Sequence, residues 1–526
     1  MSDIRVLTGP EVAAHSTPDS CWIIVHGSLT GKVYDVTEFL SEHPGGSKII
    51  LKYAGKDATE AYEPIHPPDA ITTNLPLEKH LGAIDASTVV KVVKEVTAED
   101  KRRAAMLEAR PPLDNIINMH DFEVVARAVL PEKAWAYYSS ASDDEITLRE
   151  NRMAYQRISQ NRVWFRPRIL RDVSTLDWST KILGQKSSLP VYISATALGK
   201  LGHPDGELTL TRAAANYGVI QMIATLASCS FDDILDAAAP GQIFFLQLPL
   251  FLSSSSSQSP MIRRYVNRDR EITRKYVQHA EARGIKGLFI TVDAPQLGRR
   301  EKDMRMKFVD DDAGAEVQKG QDVKKDQGVA RAISSFIDPS LSWKDIPWFQ
   351  SITKMPIILK GIATAEDAIL AYEAGVQGIV LSNHGGRQLD TSRSGIEVLV
   401  EVVAALRLRG YRPGPHFEIY VDGGVRRASD VLKAIALGAK AVGVGRPFLY
   451  AFCAYGQAGV EKAIQIFRDE FEMNMRLLGA RTLDELVPEM VDASALSSHF
   501  VMTPQDNLFN STYQPLAVAK FKESKL

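Results

Sequence analysis

Residues 378–387 read GIVLSNHGGR: a short, β-branched apolar run ending in Ser, Asn, His, two Gly and an Arg. The run has the length of a buried strand, and its polar end is chemistry that a buried strand does not need, because unpaired buried charge is costly. The pattern recurs through the second half of the chain. VYISA (191–195), VIQMI (219–223), IFFLQL (243–248), GLFITVD (287–293), PIILKG (356–361), EIYVDG (418–423) and AVGVGR (441–446) bring the set to eight. Helical patterns such as DGELTLTRAAANYG, ITRKYVQHAEARG, TAEDAILAYEAG and ASDVLKAIALGA separate most of them. Strands joined by crossover helices form parallel sheets, and eight such units predict an α/β chain closed into a (β/α)8 TIM barrel.

Nearly every run finishes in a polar or Gly-rich tip: Ser194, Ala195, Thr196 and Ala197; Gln247; Thr291 and Asp293; Lys360; Asn383 to Arg387; Asp422, Gly423, Gly424, Val425 and Arg426; Gly445 and Arg446. The C-terminal rim of the strands is where barrels of this kind build their sites, so one converging site is expected. His384 and Arg387 put a base and a fixed cation three residues apart, and Asp293 can orient the imidazole. Arg387 offers a fork for a carboxylate and Lys360 a point charge for a developing anion. The glycine turns on the seventh and eighth strands occupy the usual phosphate position. Gly443 to Phe448 reads GxGxxF, which is no dinucleotide fingerprint, and no Walker A motif exists, leaving a mononucleotide phosphate.

The first 85 residues have a different character. They hold strand-like CWIIV (21–25) and KVYDV (32–36), and 6 Lys/Arg against 12 Asp/Glu, a local charge of −6 in a chain of net −2. Residues 86–113 are charged, almost free of aromatics and end in Pro111-Pro112, as a partly helical linker does. The expected division is 1–85, linker 86–113, barrel 114–490 and tail 491–526. Glu42-His43-Pro44-Gly45-Gly46 is followed 23 residues on by His66. A lone His pair is more often surface or capping chemistry, but the Pro-Gly-Gly turn lets the backbone approach a flat group with His43 aimed at it.

Residues 5–83, with YDVTEFLSEHPGG and the second His, resemble cytochrome b5 domains. That resemblance implies haem b held by His43 and His66, with no open position, and hence electron transfer rather than oxygen binding. SATAL, TVDAPQLGRRE, LSNHGGRQLD, VDGGVRR and GRPFLY are similar to the FMN-dependent 2-hydroxy acid oxidase/dehydrogenase family over about 115–490. This second resemblance implies an L-2-hydroxy acid substrate, L-lactate first among them, with electrons passing from FMN to haem to an acceptor such as a cytochrome c-like protein or oxygen. It implies His384 as base, Asp293 as stabiliser of the imidazolium, and Arg387 and Tyr137 as carboxylate ligands. Tyr265 would stand at the substrate, Arg300 would be a secondary cation, and Lys360 would sit beside the flavin. FMN would rest on Ser194 to Ala197, Gln247, Thr291, Asp422 to Arg426 and Gly445-Arg446. A homotetramer is expected on the same ground. Alternatives are a peroxide-forming oxidase and, from another class, a haem electron carrier with an inactive barrel.

Near-neutral charge and the lack of an apolar run of about 18 residues lead to an expectation of no nucleic-acid partner and no membrane span. Cys21, Cys229 and Cys453 make no metal or haem-attachment spacing. No signal peptide is visible, and Ser524-Lys525-Leu526 reads as a peroxisomal address, with the mitochondrial intermembrane space or cytoplasm as alternatives. Residues 310–335 are polar enough for a lid. The family's hydroxyl beside the flavin on the second strand is replaced by Ala224. Between Gln247-Leu248 and Tyr265-Val266 lie 16 residues, PLFLSSSSSQSPMIRR, unlike anything else in the chain. We infer a retained intron of 48 nucleotides, in frame, against the alternative of a genuine Ser-rich loop. Mature transcripts are expected to read Gln247-Leu248 directly into Tyr265; sequencing that finds all 48 nucleotides in mature message establishes the loop instead.

Overall fold

The computed structural model describes residues 5–26, 31–41, 43, 47–66, 70–89, 96–156, 164–248, 263–311 and 339–493. The amino-terminal unit is a sheet built from β1 (Val6–Leu7), β2 (Ser16–Thr17), β3 (Ser20–His26), β4 (Gly31–Asp35) and β5 (His80–Ile84), in the order β1-β5-β4-β3-β2. Side chains alternate along a strand, so β3 sends Ile23 and Val25 to one face and Ile24 to the other, and each face builds its own small core. Phe39, Tyr62 and Ile71 pack on the first of these, from the segments around His43 and His66.

Short pairs precede the main body: β6 (Trp164–Phe165), β7 (Thr180–Ile182) and β8 (Gln185–Ser187). Then β9 (Val191–Ile193), β10 (Ile220–Ala224), β11 (Phe244–Leu248), β12 (Leu288–Thr291), β13 (Ile357–Ile362), β14 (Gly378–Leu381), β15 (Glu418–Asp422) and β16 (Ala441–Val444) pair in parallel, and β16 returns to β9 to close the barrel. All eight runs read from the sequence are these strands. β17 (Val491–Asp492) pairs antiparallel with β6.

Tyr192, Ile220, Met222, Phe245, Phe289, Ile358, Val380, Tyr420 and Ala441 fill the barrel, and Ile182 of the β7–β8 hairpin joins them. The intervening residues, among them Ile193, Ile223, Leu246, Ile290, Leu359 and Val421, belong to the outer core under the helices. Each fully buried aromatic such as Phe289 contributes about 1.5–3 kcal/mol through its apolar area. Among the described residues no helix is long and apolar enough to cross a membrane.

The linker is partly helical. Its helix, Ala98–Glu108, is docked on the barrel unit. Arg103 Nε donates to Val129 O at 3.0 Å, Arg110 Nη1 to Ala454 O at 2.7 Å and Tyr455 Oη to Pro111 O at 2.7 Å, while Glu99 Oε1 accepts from Glu132 N at 2.6 Å. The physical reason is capping: helix Met119–Val129 leaves its last carbonyls unpaired, and a neighbouring arginine satisfies one of them.

Candidate active site

Period-two alternation sets the site. Two residues beyond the inward Tyr192, Met222, Phe245, Phe289, Ile358, Val380 and Tyr420 stand Ser194, Ala224, Gln247, Thr291, Lys360, Ser382 and Asp422, on the same inner row but at the carboxyl-end mouth. Ala224 is the one position in this row without a polar group, as its sequence position indicates. Gln247 Nε2 donates to Thr291 Oγ1 at 2.7 Å, and Lys360 Nζ lies 3.2 Å from Ser382 Oγ and 3.4 Å from Asp422 Oδ2.

Ser194 Oγ, Thr196 Oγ1, Asp422 Oδ1 and Asp293 Oδ2 are buried and have no hydrogen-bond partner among the described residues. Buried polar atoms in folded proteins are paired, so this row is built to complete itself on a polar ligand. Hydroxyls, a carboxylate, a lysine and adjacent arginines suit a phosphorylated heterocycle such as FMN. Gly423 and Gly424 adopt φ of +89° and +80°, and a Cβ on Gly424 would lie 1.9 Å from Asn151 O, so only glycine lets this turn lie against Asn151. Arg446 donates from all three guanidinium nitrogens, to Tyr138 O, Gly385 O and Ser140 O, tying two rim loops together. Arg426 Nη2 pairs with Glu123 Oε2 at 3.3 Å.

His384 leaves β14 in a left-handed conformation (φ +58°), followed by Gly385 and Gly386 with φ of +65° and +78°. A non-glycine residue there is strained; Ser382 Oγ, accepting from His384 N at 3.0 Å, and Asn383 Oδ1, accepting from Gly386 N at 3.1 Å, hold the turn. The turn delivers His384 Nδ1 to 3.1 Å from Asp293 Oδ1 while 31% of the side chain stays open. Burial among protein pushes the His384 imidazole below its ordinary pKa, against an opposing pull from Asp293. For Asp293 burial pushes upward, and the His384 and Lys360 charges more than reverse it. Lys360 is likewise penalised by burial yet held above its ordinary value by Asp422 and Asp293.

Cations dominate the other wall. Arg387 lies 5.0 Å over the Tyr137 ring and donates through Nη1 to Tyr137 O at 2.7 Å and Ser140 O at 3.0 Å. Arg300, 4% exposed, donates from Nε to Arg387 O at 3.3 Å. Burial, reinforced by the Arg387 charge, pushes its guanidinium down to about 9. Buried positive charge of this density calls for an anion.

The structure therefore gathers His384, Asp293, Lys360, Arg387, Arg300 and Tyr137 at one mouth. Tyr265 falls near the start of helix Arg263–Ala282, its side chain outside the described residues. So are residues 249–262 of the insert, 312–335 of the lid and the C-terminal tripeptide. Two supports escaped the sequence reading. Asn151 exchanges amide hydrogen bonds of 2.8 Å with Asn383, and Lys302 pairs with the buried Glu145 at 2.7 Å. Both join residues far apart in the chain, with no local motif to mark them.

In the small unit, the His43 and His66 rings stand 6.0 Å apart. His66 Nδ1 is 3.1 Å from Tyr62 O, a bond that places the ring proton on Nδ1 and leaves the lone pair on Nε2. Burial pushes its pKa down to about 4, keeping the imidazole neutral. The two imidazoles are the residues that would hold a haem iron, which would supply one-electron chemistry there.

Comparison with known proteins agrees. Residues 126–493 match the FMN-dependent dehydrogenase family and 8–108 the cytochrome b5-like haem/steroid binding domain. The chain is 53% identical over 517 residues to an L-lactate dehydrogenase (cytochrome) of Wickerhamomyces anomalus, covering 98% of this chain and 85% of that one. It is 48% identical to that of Saccharomyces cerevisiae, covering 98% and 84%, and 42% identical to spinach glycolate oxidase, covering 70% and 94%. Among solved structures, a flavocytochrome b2 variant with benzoylformate superposes with a TM-score of 0.67 at 47% identity, over 81% of this chain and all of that one.

Removing the Asp293 charge is expected to lower the His384 pKa further, because its coulombic pull is upward. NMR titration of the imidazole in Asp293→Asn reads this; an unchanged or raised value rules Asp293 out as its charge partner.

Proposed function

The chain belongs to the FMN-dependent dehydrogenase family and carries a cytochrome b5-like haem domain ahead of its barrel, and from that premise we propose that it oxidises L-lactate to pyruvate, passing electrons through FMN and haem b to an external acceptor. The observation that carries the proposal is the His384–Asp293 pair facing a mouth walled by Arg387, Arg300 and Lys360. The substrate gives up two electrons and two protons. His384, neutral near pH 7 because burial depresses its pKa, accepts the hydroxyl proton. Asp293 then stabilises the imidazolium. Arg387 and Tyr137 hold the carboxylate, with Arg300 behind them, and Lys360 favours negative charge at the floor of the mouth. When bound, FMN supplies a two-electron acceptor beside the substrate carbon, and haem on His43 and His66 a one-electron relay. Ser194 to Ala197, Gln247, Thr291, Asp422 to Arg426, Gly445 and Arg446 are the residues that would hold FMN.

The proposed limits are 1–85 for the haem unit, 86–113 for the linker, 114–490 for the barrel and 491–526 for the tail. A homotetramer is the assembly we propose, with sedimentation of the holoenzyme as its measure. A peroxisomal location is supported by Ser524-Lys525-Leu526 wherever that tripeptide ends the chain, the intermembrane space being the alternative. A fluorescent amino-terminal fusion is expected in peroxisomes and to leave them when the tripeptide is deleted.

Anaerobic mixing of the holoenzyme with L-lactate in a stopped-flow instrument is expected to bleach the flavin and then bring up reduced-haem bands. Flavin reduction with a silent haem, and peroxide formed in air, would make the chain an oxidase. An unbleached flavin removes L-lactate as substrate or places the fault in residues 249–264, which deletion of that stretch decides.

A further inference from the structure

Building on the FMN-to-haem path proposed above, we propose that Ser228 is a latch that seats the His66-bearing loop of the haem unit on the barrel, and that Glu207 holds the latch in position. Ser228 is fully buried. Its Oγ donates to Pro64 O at 2.9 Å, two residues before His66, and accepts from Lys200 N at 3.3 Å. A hydroxyl has a single proton, and here that proton is committed to the haem unit. Beside it, Ile65 packs against the apolar core of the barrel.

The location links two ends of one path. Ser228 lies four residues beyond Ala224 at the tip of β10, and Lys200 three beyond Ala197 in the loop after β9. Both loops run straight from the mouth to the grip on the haem loop, and Leu198 N bonds to Leu226 O at 3.3 Å between them. Glu207, 3% exposed, clamps the two together: Oε1 accepts from Gly199 N at 2.8 Å and Ser228 N at 3.0 Å, and Oε2 from Cys229 N at 3.1 Å. A carboxylate at that depth is tolerated only when bonded in this way. Gly199 admits the close fit, since a Cβ there would stand 2.9 Å from Glu207 Cδ. The latch itself is one neutral hydrogen bond to a carbonyl, weak enough to open and directional enough to set orientation. Ser228 would neither gain nor lose an electron or a proton when the two bound groups exchange an electron, and it acts through geometry alone.

The test uses full-length holoenzyme carrying Ser228→Ala. Flavin bleaching by L-lactate should keep its rate, which also reports a folded barrel, while haem reduction slows by about five-fold, the population change expected from one lost hydrogen bond. Amide hydrogen exchange in residues 59–66 should rise in the same variant. Unchanged exchange there, or unchanged haem reduction behind normal flavin reduction, overturns the latch. If the parent protein itself fails to bleach with L-lactate, the substrate proposal fails, and exchange at 59–66 still decides the latch.

Discussion

Closure of a parallel sheet into a barrel leaves its inner side chains no choice of direction. Every second residue points to the axis, so a strand that packs Phe289 or Tyr420 in the core must present Thr291 or Asp422 at the mouth. The whole site follows from that constraint. Seven strands each deliver one inward residue near their carboxyl ends, and the loops have only to add His384, Asp293 and the arginines around them. Slipping any strand by one residue would put its polar tip under the helices and an aliphatic side chain in the mouth.

Electrostatics then distinguish two walls. On one, Lys360 and His384 are balanced by Asp422 and Asp293, so charges are paired and the imidazole stays neutral enough to take a proton. On the other, Arg300 and Arg387 stand beside each other with backbone carbonyls and an aromatic ring for company, and burial pushes the Arg300 guanidinium down, so that a carboxylate there would be stabilising. A hydroxy acid presents an ionised end and a protonated hydroxyl a short distance apart, which is the polarity of the two walls.

Much of this was legible because it was local. The eight strands carry their chemistry at their own ends, and GIVLSNHGGR or EIYVDGGVR shows core, turn and functional group within ten residues. HPGG with a later His was readable for the same reason. What escaped was long-range: Asn151 and Asn383 are paired across 232 positions, Glu145 finds Lys302 across 157, and Glu207 organises two loops from the start of a helix. The helical part of the linker was readable, but its docking was not: Arg103 and Arg110 bond to carbonyls far along the chain while Leu107 packs on the barrel core.

That anchored linker has a further consequence. With Arg103 and Arg110 fastened to the barrel unit, only seven peptide steps separate Val89, a linker residue packed on the core of the small unit, from Val96, at most about 25 Å of chain. A tether that short holds the two redox units at an effective concentration in the millimolar range. Undocking therefore never becomes a bimolecular problem: the small unit returns to its own barrel sooner than to any other, at a rate indifferent to how dilute the protein is.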